Sequence, residues 1–195
     1  MALTRRTEAS SGNKDFAPIE NLEEREYEGR LVYVADLGMQ QQEYKGEVKD
    51  PRQQISLGVE IVGETVTVDD KEVPRMLWTK PFNIFSNLTE KGNELKYYSV
   101  FQPDAVPETI PDWDAQLGKP CSVRVVHHVS GDNVYDNIGA LLAIPAKYQD
   151  GVPPATIDPA IGDADDPNNP VTKSLWGLPK YVYDKRIGAG GSDPV

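Results

Sequence analysis

Strand-like patterning dominates the middle of the chain. Residues 28–36, 55–62, 75–85, 121–129 and 134–144 each carry a short apolar run or an apolar–polar alternation. Leu31-Val32-Tyr33-Val34-Ala35 is apolar throughout and rich in residues that favour strands. Ile55, Leu57, Val59 and Ile61 alternate with Ser56, Gly58, Glu60 and Val62, the signature of a half-buried strand. Gly38 breaks the first run and predicts a bulge or sharp bend there. Residues 41–54 are polar and contain the turn signal Asp50-Pro51, so they read as a connection. Pro81 requires the third strand to end, bulge or lie at an edge. Gly131-Asp132-Asn133 marks a hairpin between the last two strands.

The longest irregular stretch, 86–114, falls between the third and fourth strands, with a helix expected around 88–98. Five short strands with one long connection before the fourth predict an all-β fold, a five-stranded OB-like Greek-key barrel with flexible termini. The expected organisation is a mobile N-terminal arm (1–26), the barrel domain (27–149), an acidic Pro-rich linker (150–170) and an aromatic, basic C-terminal segment (171–195). Asp158, Asp163, Asp165 and Asp166 make the linker read as extended or disordered.

Charge works against the function that this fold suggests. The formal net charge is −11, and residues 27–148 hold twelve Lys/Arg against eighteen Asp/Glu, a balance of −6. Nucleic-acid binders usually carry a basic footprint, but affinity follows the local field, and a groove needs few cations. No apolar run approaches the roughly 20 residues that span a bilayer. The N-terminus has Arg5 and Arg6 without an apolar core behind them, so no secretory signal is expected. Cys121 is the only cysteine, which rules out an intramolecular disulfide and fits a reducing compartment.

Catalytic chemistry finds no constellation here. His127 and His128 are neighbours on one strand and point to opposite faces. With Cys121 they supply no metal-ligand spacing, so neither a metal nor a cofactor is expected. Cys121 and His127 lie roughly 20 Å apart along an extended strand, beyond hydrogen-bond reach. Asp132 and Asp136 flank a hairpin, where carboxylates are ordinary turn residues.

Binding chemistry is better represented. Single-strand binders combine cations that track phosphates with aromatic rings on which bases stack. Candidate positions are Arg30 and Tyr33 on the first strand, and Lys45 and Arg52 in the following connection. Arg75, Trp78, Lys80 and Phe82 belong to the third strand, Arg124 to the fourth and Tyr135 to the fifth. Taken singly, Trp78 and Phe82 read more readily as core than as platform, as does Trp113; what favours binding is the order cation, aromatic, cation, aromatic in Arg75, Trp78, Lys80 and Phe82. The C-terminal segment either docks on the barrel through Trp176 and Tyr181 or acts as a tail that competes for the DNA groove. On the second reading, deleting residues 151–195 leaves a folded barrel and strengthens DNA binding.

Asp36-x-Gly38-x-Gln40, Glu60, Pro74-Arg75, Lys80-x-Phe82, Leu117-Gly118-Lys119-Pro120-Cys121-x-Val123, Ile138 and Ile144-Pro145 together resemble tailed-phage single-stranded DNA-binding proteins of OB-fold type. The likeness covers about residues 27–149. It implies an intracellular protein of the host cell cytoplasm that coats single-stranded DNA during phage replication or recombination, partnered by proteins of those processes. It carries Arg75, Lys80 and Phe82 over as binding positions. Residues 191–195 lack the acidic, aromatic-tipped terminus of many such proteins. The alternative is a non-enzymatic protein-interaction or virion-associated module of the same fold.

Overall fold

A computed structural model describes residues 20–68, 70–131 and 133–188. Most of the expected N-terminal arm therefore lies outside the described residues. Seven strands form one sheet: β1 (Glu26–Tyr44), β2 (Glu47–Val68), β3 (Lys71–Trp78), β4 (Phe82–Asn83), β5 (Pro120–Ser130), β6 (Asn133–Ala143) and β7 (Ala160–Gly162). The main path runs β3-β2-β1-β5-β6, all antiparallel, with β4 added to β2 and β7 lying parallel to β1. Three consecutive hairpin-connected strands, with a fourth returning by a long connection beside the first, make a Greek key. The sheet is open: among the described residues, no backbone pairing joins its edges β3 and β6. The fold is thus mainly β as expected, but with seven strands and no closed barrel.

The first two strands are far longer than their apolar runs. Gly38, at φ +73°, sits at the shift of register between Asp36 and Met39, so the expected irregularity bends β1 without ending it. Pairing then resumes through Gln42–Lys49 to Tyr44–Glu47. Lys45 (φ 54°) and Gly46 (φ 79°) form a two-residue turn with both residues left-handed, the geometry that matches strand twist. Asp50-Pro51 falls at the last of three register shifts, opposite Gln41, where a proline is tolerated. The expected polar connection is therefore a projecting hairpin. Its ladder is made by backbone groups and leaves no hydrophobic pattern.

The third segment divides as Pro81 required, β3 ending at Trp78 and β4 taking up Phe82. The long connection contains α1 (Asn93–Phe101) and a short 3-10 turn at Asp114–Gln116. Leu88, Tyr98, Phe101 and Trp113 from this stretch are buried against Leu31, Val59, Ile61, Leu77, Val123 and Leu141. Glu94 is buried with them, accepting from Trp113 Nε1 (3.2 Å) and the Phe85 amide (3.3 Å). Desolvation pushes its pKa up, against the opposing pull of those two hydrogen bonds.

Residues 150–188, after the short α2 (Ala146–Gln149), also pack on the sheet. The aspartates expected to keep 150–170 disordered instead close turns: Asp163 accepts from the Asp165 amide (2.8 Å) and Asp166 from the Asn168 amide (2.9 Å). Asn169 caps α3 (Pro170–Lys173) by accepting from the Thr172 amide, with Pro170 in the first turn. Val171, Leu175 and Tyr183, the last from α4 (Gly177–Asp184), bury a second core with Ala35, Leu37, Trp78 and Ala164. The tail docks, but not through Trp176 and Tyr181, which remain 44% and 55% exposed. A segment that completes a core is part of the fold, which corrects the picture of a dispensable competing tail.

Candidate nucleic-acid interface

The ten candidate positions separate into three environments. The first is interior. Trp78 and Phe82 are 7% and 3% exposed, so their ring faces belong to packing. Phe82 lies 4.9 Å from Tyr97 and 6.4 Å from Trp113, centroid to centroid. Trp78 stacks on half-buried Tyr33 at 6.2 Å and 25°. Trp78 Nε1 is buried and makes no hydrogen bond among the described residues. Burial, then the negative charge of Asp158, raises the Tyr33 pKa.

Arg30, also on β1, has its guanidinium committed to main-chain carbonyls. Nε donates to Pro153 O (2.6 Å), Nη1 to Gly118 O (2.6 Å) and Nη2 to Val152 O (2.5 Å). Its cross-strand partner Glu60 is buried and accepts from the Thr156 and Ile157 amides and the Thr156 hydroxyl at 2.9–3.0 Å. Charged side chains on β1 and β2 thus grip the chain leaving α2. Neither points a free charge at solvent.

The second environment is the far end of the sheet. Arg75 is buried and paired with Asp136. Arg124 is exposed and bonded to Glu26 at 2.7 Å. Tyr135 is 44% exposed on β6. Glu23, Glu24 and Glu64 lie in the same neighbourhood: Arg25 contacts Glu23 and Glu64, and Glu24 accepts from the His127 amide. This end presents mixed charge, with its arginines already engaged.

The third environment is the projecting hairpin, with Lys45 at its turn and Arg52 lower on its second strand. Gln42, Val48, Lys49, Asp50, Arg52 and Asn83 line an open groove of about 440 Å³. An amide relay crosses its floor: Gln54 donates to Asn83 (2.8 Å), and Asn83 donates to Gln42 (3.1 Å). The relay fixes the amides of three strands in one orientation. Arg52 sits over the Phe85 ring at 5.2 Å, and Lys45 over the 62%-exposed Tyr44 ring at 5.3 Å. Lys80 is exposed in the connection leading to β4, whose Asn83 reaches the groove. Among the described residues, no carboxylate forms a salt bridge with Lys45, Arg52 or Lys80, whereas Lys49 pairs with Glu47.

Sequence reasoning missed Tyr44, Lys49, Asn83 and Phe85 as members of this site. Lys45-Gly46 was the available signal, since a glycine in a polar run can close a two-residue hairpin. The arrangement suits binding: fixed amides, two cation–aromatic pairs and no buried nucleophile. Among the described residues, no three metal-ligating side chains come together. No helix among them is long and apolar enough to cross a membrane. Compared with known proteins, the chain matches no family model and no curated protein.

Proposed function

We propose that this protein binds single-stranded DNA without sequence preference, as a non-enzymatic factor in phage replication or recombination inside the host cell. The carrying observation is the β1–β2 hairpin, where Arg52 lines a groove with Gln42, Lys49 and Asn83 and sits over the Phe85 ring, while Lys45 sits over the exposed Tyr44 ring at the hairpin turn. Cations beside aromatic faces are what a phosphate backbone with unstacked bases requires. The Greek-key path supports an OB-like reading, a partly open barrel that binds oligonucleotides through its second and third strands and adjoining loops. On this reading β3 and β6 are the closing edges, linked by Arg75 and Asp136. The groove replaces the strand-three face as the main contact, because Trp78 and Phe82 are interior. Titration of labelled oligo-dT at several salt concentrations tests the proposal. Binding at low salt that weakens as salt rises supports it, and absence of binding removes it.

The net charge of −11 favours a second reading, a protein-interaction or virion-associated module. An exposed two-stranded ribbon can dock a protein partner through the same amides. Salt-insensitive behaviour toward DNA would promote that reading.

A further inference from the structure

We infer that the outer face of α4 is a second contact for single-stranded nucleic acid, continuous with the hairpin groove; this rests on the proposed DNA-binding function. The protein has three tryptophans, and Trp78 and Trp113 are buried while Trp176 is 44% exposed. Leu178 and Tyr181 beside it are 49% and 55% exposed. The helix does not need these side chains for anchorage. Pro179 and Tyr183 face inward, and Tyr183 joins Val171 and Leu175 on Ala35, Leu37 and Trp78. One face holds the fold, and an aromatic face is left to solvent.

Charge sets this face apart from the rest of the chain. Residues 171–188 contain Lys173, Lys180, Lys185 and Arg186 against Asp184 alone, a balance of +3 in a chain of −11; Lys180 pairs with that Asp184, and Lys173, Lys185 and Arg186 meet no carboxylate in a salt bridge among the described residues. Lys185 Nζ lies 4.3 Å from the Tyr181 ring centroid, one turn along the helix. A cation beside an exposed ring repeats the Lys45–Tyr44 and Arg52–Phe85 pairs of the hairpin. An anionic polymer with flat bases complements both parts of such a pair, while an acidic partner without rings complements only the cation.

The two surfaces are joined. Ile187, just beyond α4, donates its amide to Met39 O at 2.8 Å, and a Cβ at Gly38 would fall 2.9 Å from Arg186 Cδ. Met39 and Gly38 mark the base of the projecting hairpin. A strand leaving the groove along β1 therefore meets the basic end of α4 first.

The experiment compares full-length wild type with Trp176→Ala/Tyr181→Ala and Lys45→Ala/Arg52→Ala, using oligo-dT and fluorescence anisotropy. Both double variants are expected to bind about tenfold or more weakly. Oligo-dT is also expected to quench wild-type tryptophan emission, and Trp176→Phe to lose most of that quench. Should the α4 double variant melt early, Lys180→Gln/Lys185→Gln provides the reading instead. Its log K against log salt slope should be shallower by about 1.4. Wild-type affinity in the α4 variants, with quenching retained in Trp176→Phe, overturns the second contact and leaves the groove standing. A wild-type protein that binds no oligo-dT at low salt removes both.

Discussion

Arg75 on β3 and Asp136 on β6 form a buried ion pair between the two edges that the sheet leaves unpaired. The same Asp136 oxygen accepts the Leu22 amide at 3.0 Å, and Arg75 Nη1 donates to Glu20 O at 3.0 Å. The other carboxylate oxygen faces His127 Nε2 at 3.5 Å. One charge pair thus fastens the N-terminal approach over the gap. Arg75→Ala or Asp136→Ala leaves an uncompensated buried charge and should lower unfolding free energy by about 3–5 kcal/mol. Urea denaturation measures it. Replacing both partners with apolar residues of similar size should cost clearly less than either single change.

The tail is predicted to act as a strap. Leu175→Ala opens the second core and should destabilise by about 2–5 kcal/mol. Glu60→Ala removes the charged acceptor of the Thr156 and Ile157 amides, at about 1.5–3 kcal/mol for hydrogen bonds to an ionised group. Truncation before residue 151 should lower the melting temperature and weaken oligo-dT binding. A truncated protein that melts normally and binds more tightly would restore the competing-tail picture.

Trp78→Ala and Phe82→Ala are expected to act through stability, at about 3–5 kcal/mol each. Thermal melting beside oligo-dT titration separates the effects. Full stability with lost binding would mean that the rings reach DNA after all.

Glu94 gives the fold a pH dependence whose sign follows from its raised pKa. A carboxyl that holds its proton more tightly when folded favours the folded state below its unfolded pKa, near 4.5. That contribution is lost as pH rises through the higher folded value. Glu94→Gln does not ionise, so its melting temperature relative to wild type should climb between pH 4 and pH 7. A difference that stays level would show that burial does not perturb this group.

Cys121 is 0% exposed, and burial pushes its thiol pKa up to about 12, so almost no thiolate exists near neutrality. The native protein should resist iodoacetamide for as long as it stays folded, and urea should make the thiol reactive. Rapid native labelling, followed by mass spectrometry, would contradict the packing at β5.

For the groove, Lys45→Ala/Arg52→Ala should flatten the salt slope by about 1.4, from roughly −3 to −4 for four to six phosphate contacts. An unchanged slope would place the phosphates elsewhere.

The alternations in 55–62 and 121–126 and the apolar run at 31–35 located β1, β2 and β5, because a buried face stamps its period on the chain. Gly38 and Pro81 marked their bend and break because backbone constraints act locally. The β1–β2 hairpin was hidden for the opposite reason. Its polar residues bury little, and backbone hydrogen bonds hold it whatever the side chains are. Nor could composition say which cations were free. Arg75 is taken by a carboxylate 61 residues away and Arg30 by carbonyls more than 120 residues away, while Lys45 and Arg52 lie beside aromatic rings close in sequence or space. The candidate aromatics were sorted in the same way, Trp78 inward and Trp176 outward. An arginine or a tryptophan has one chemistry in sequence and several fates in a fold. Long-range packing decides whether its charge or ring face reaches water.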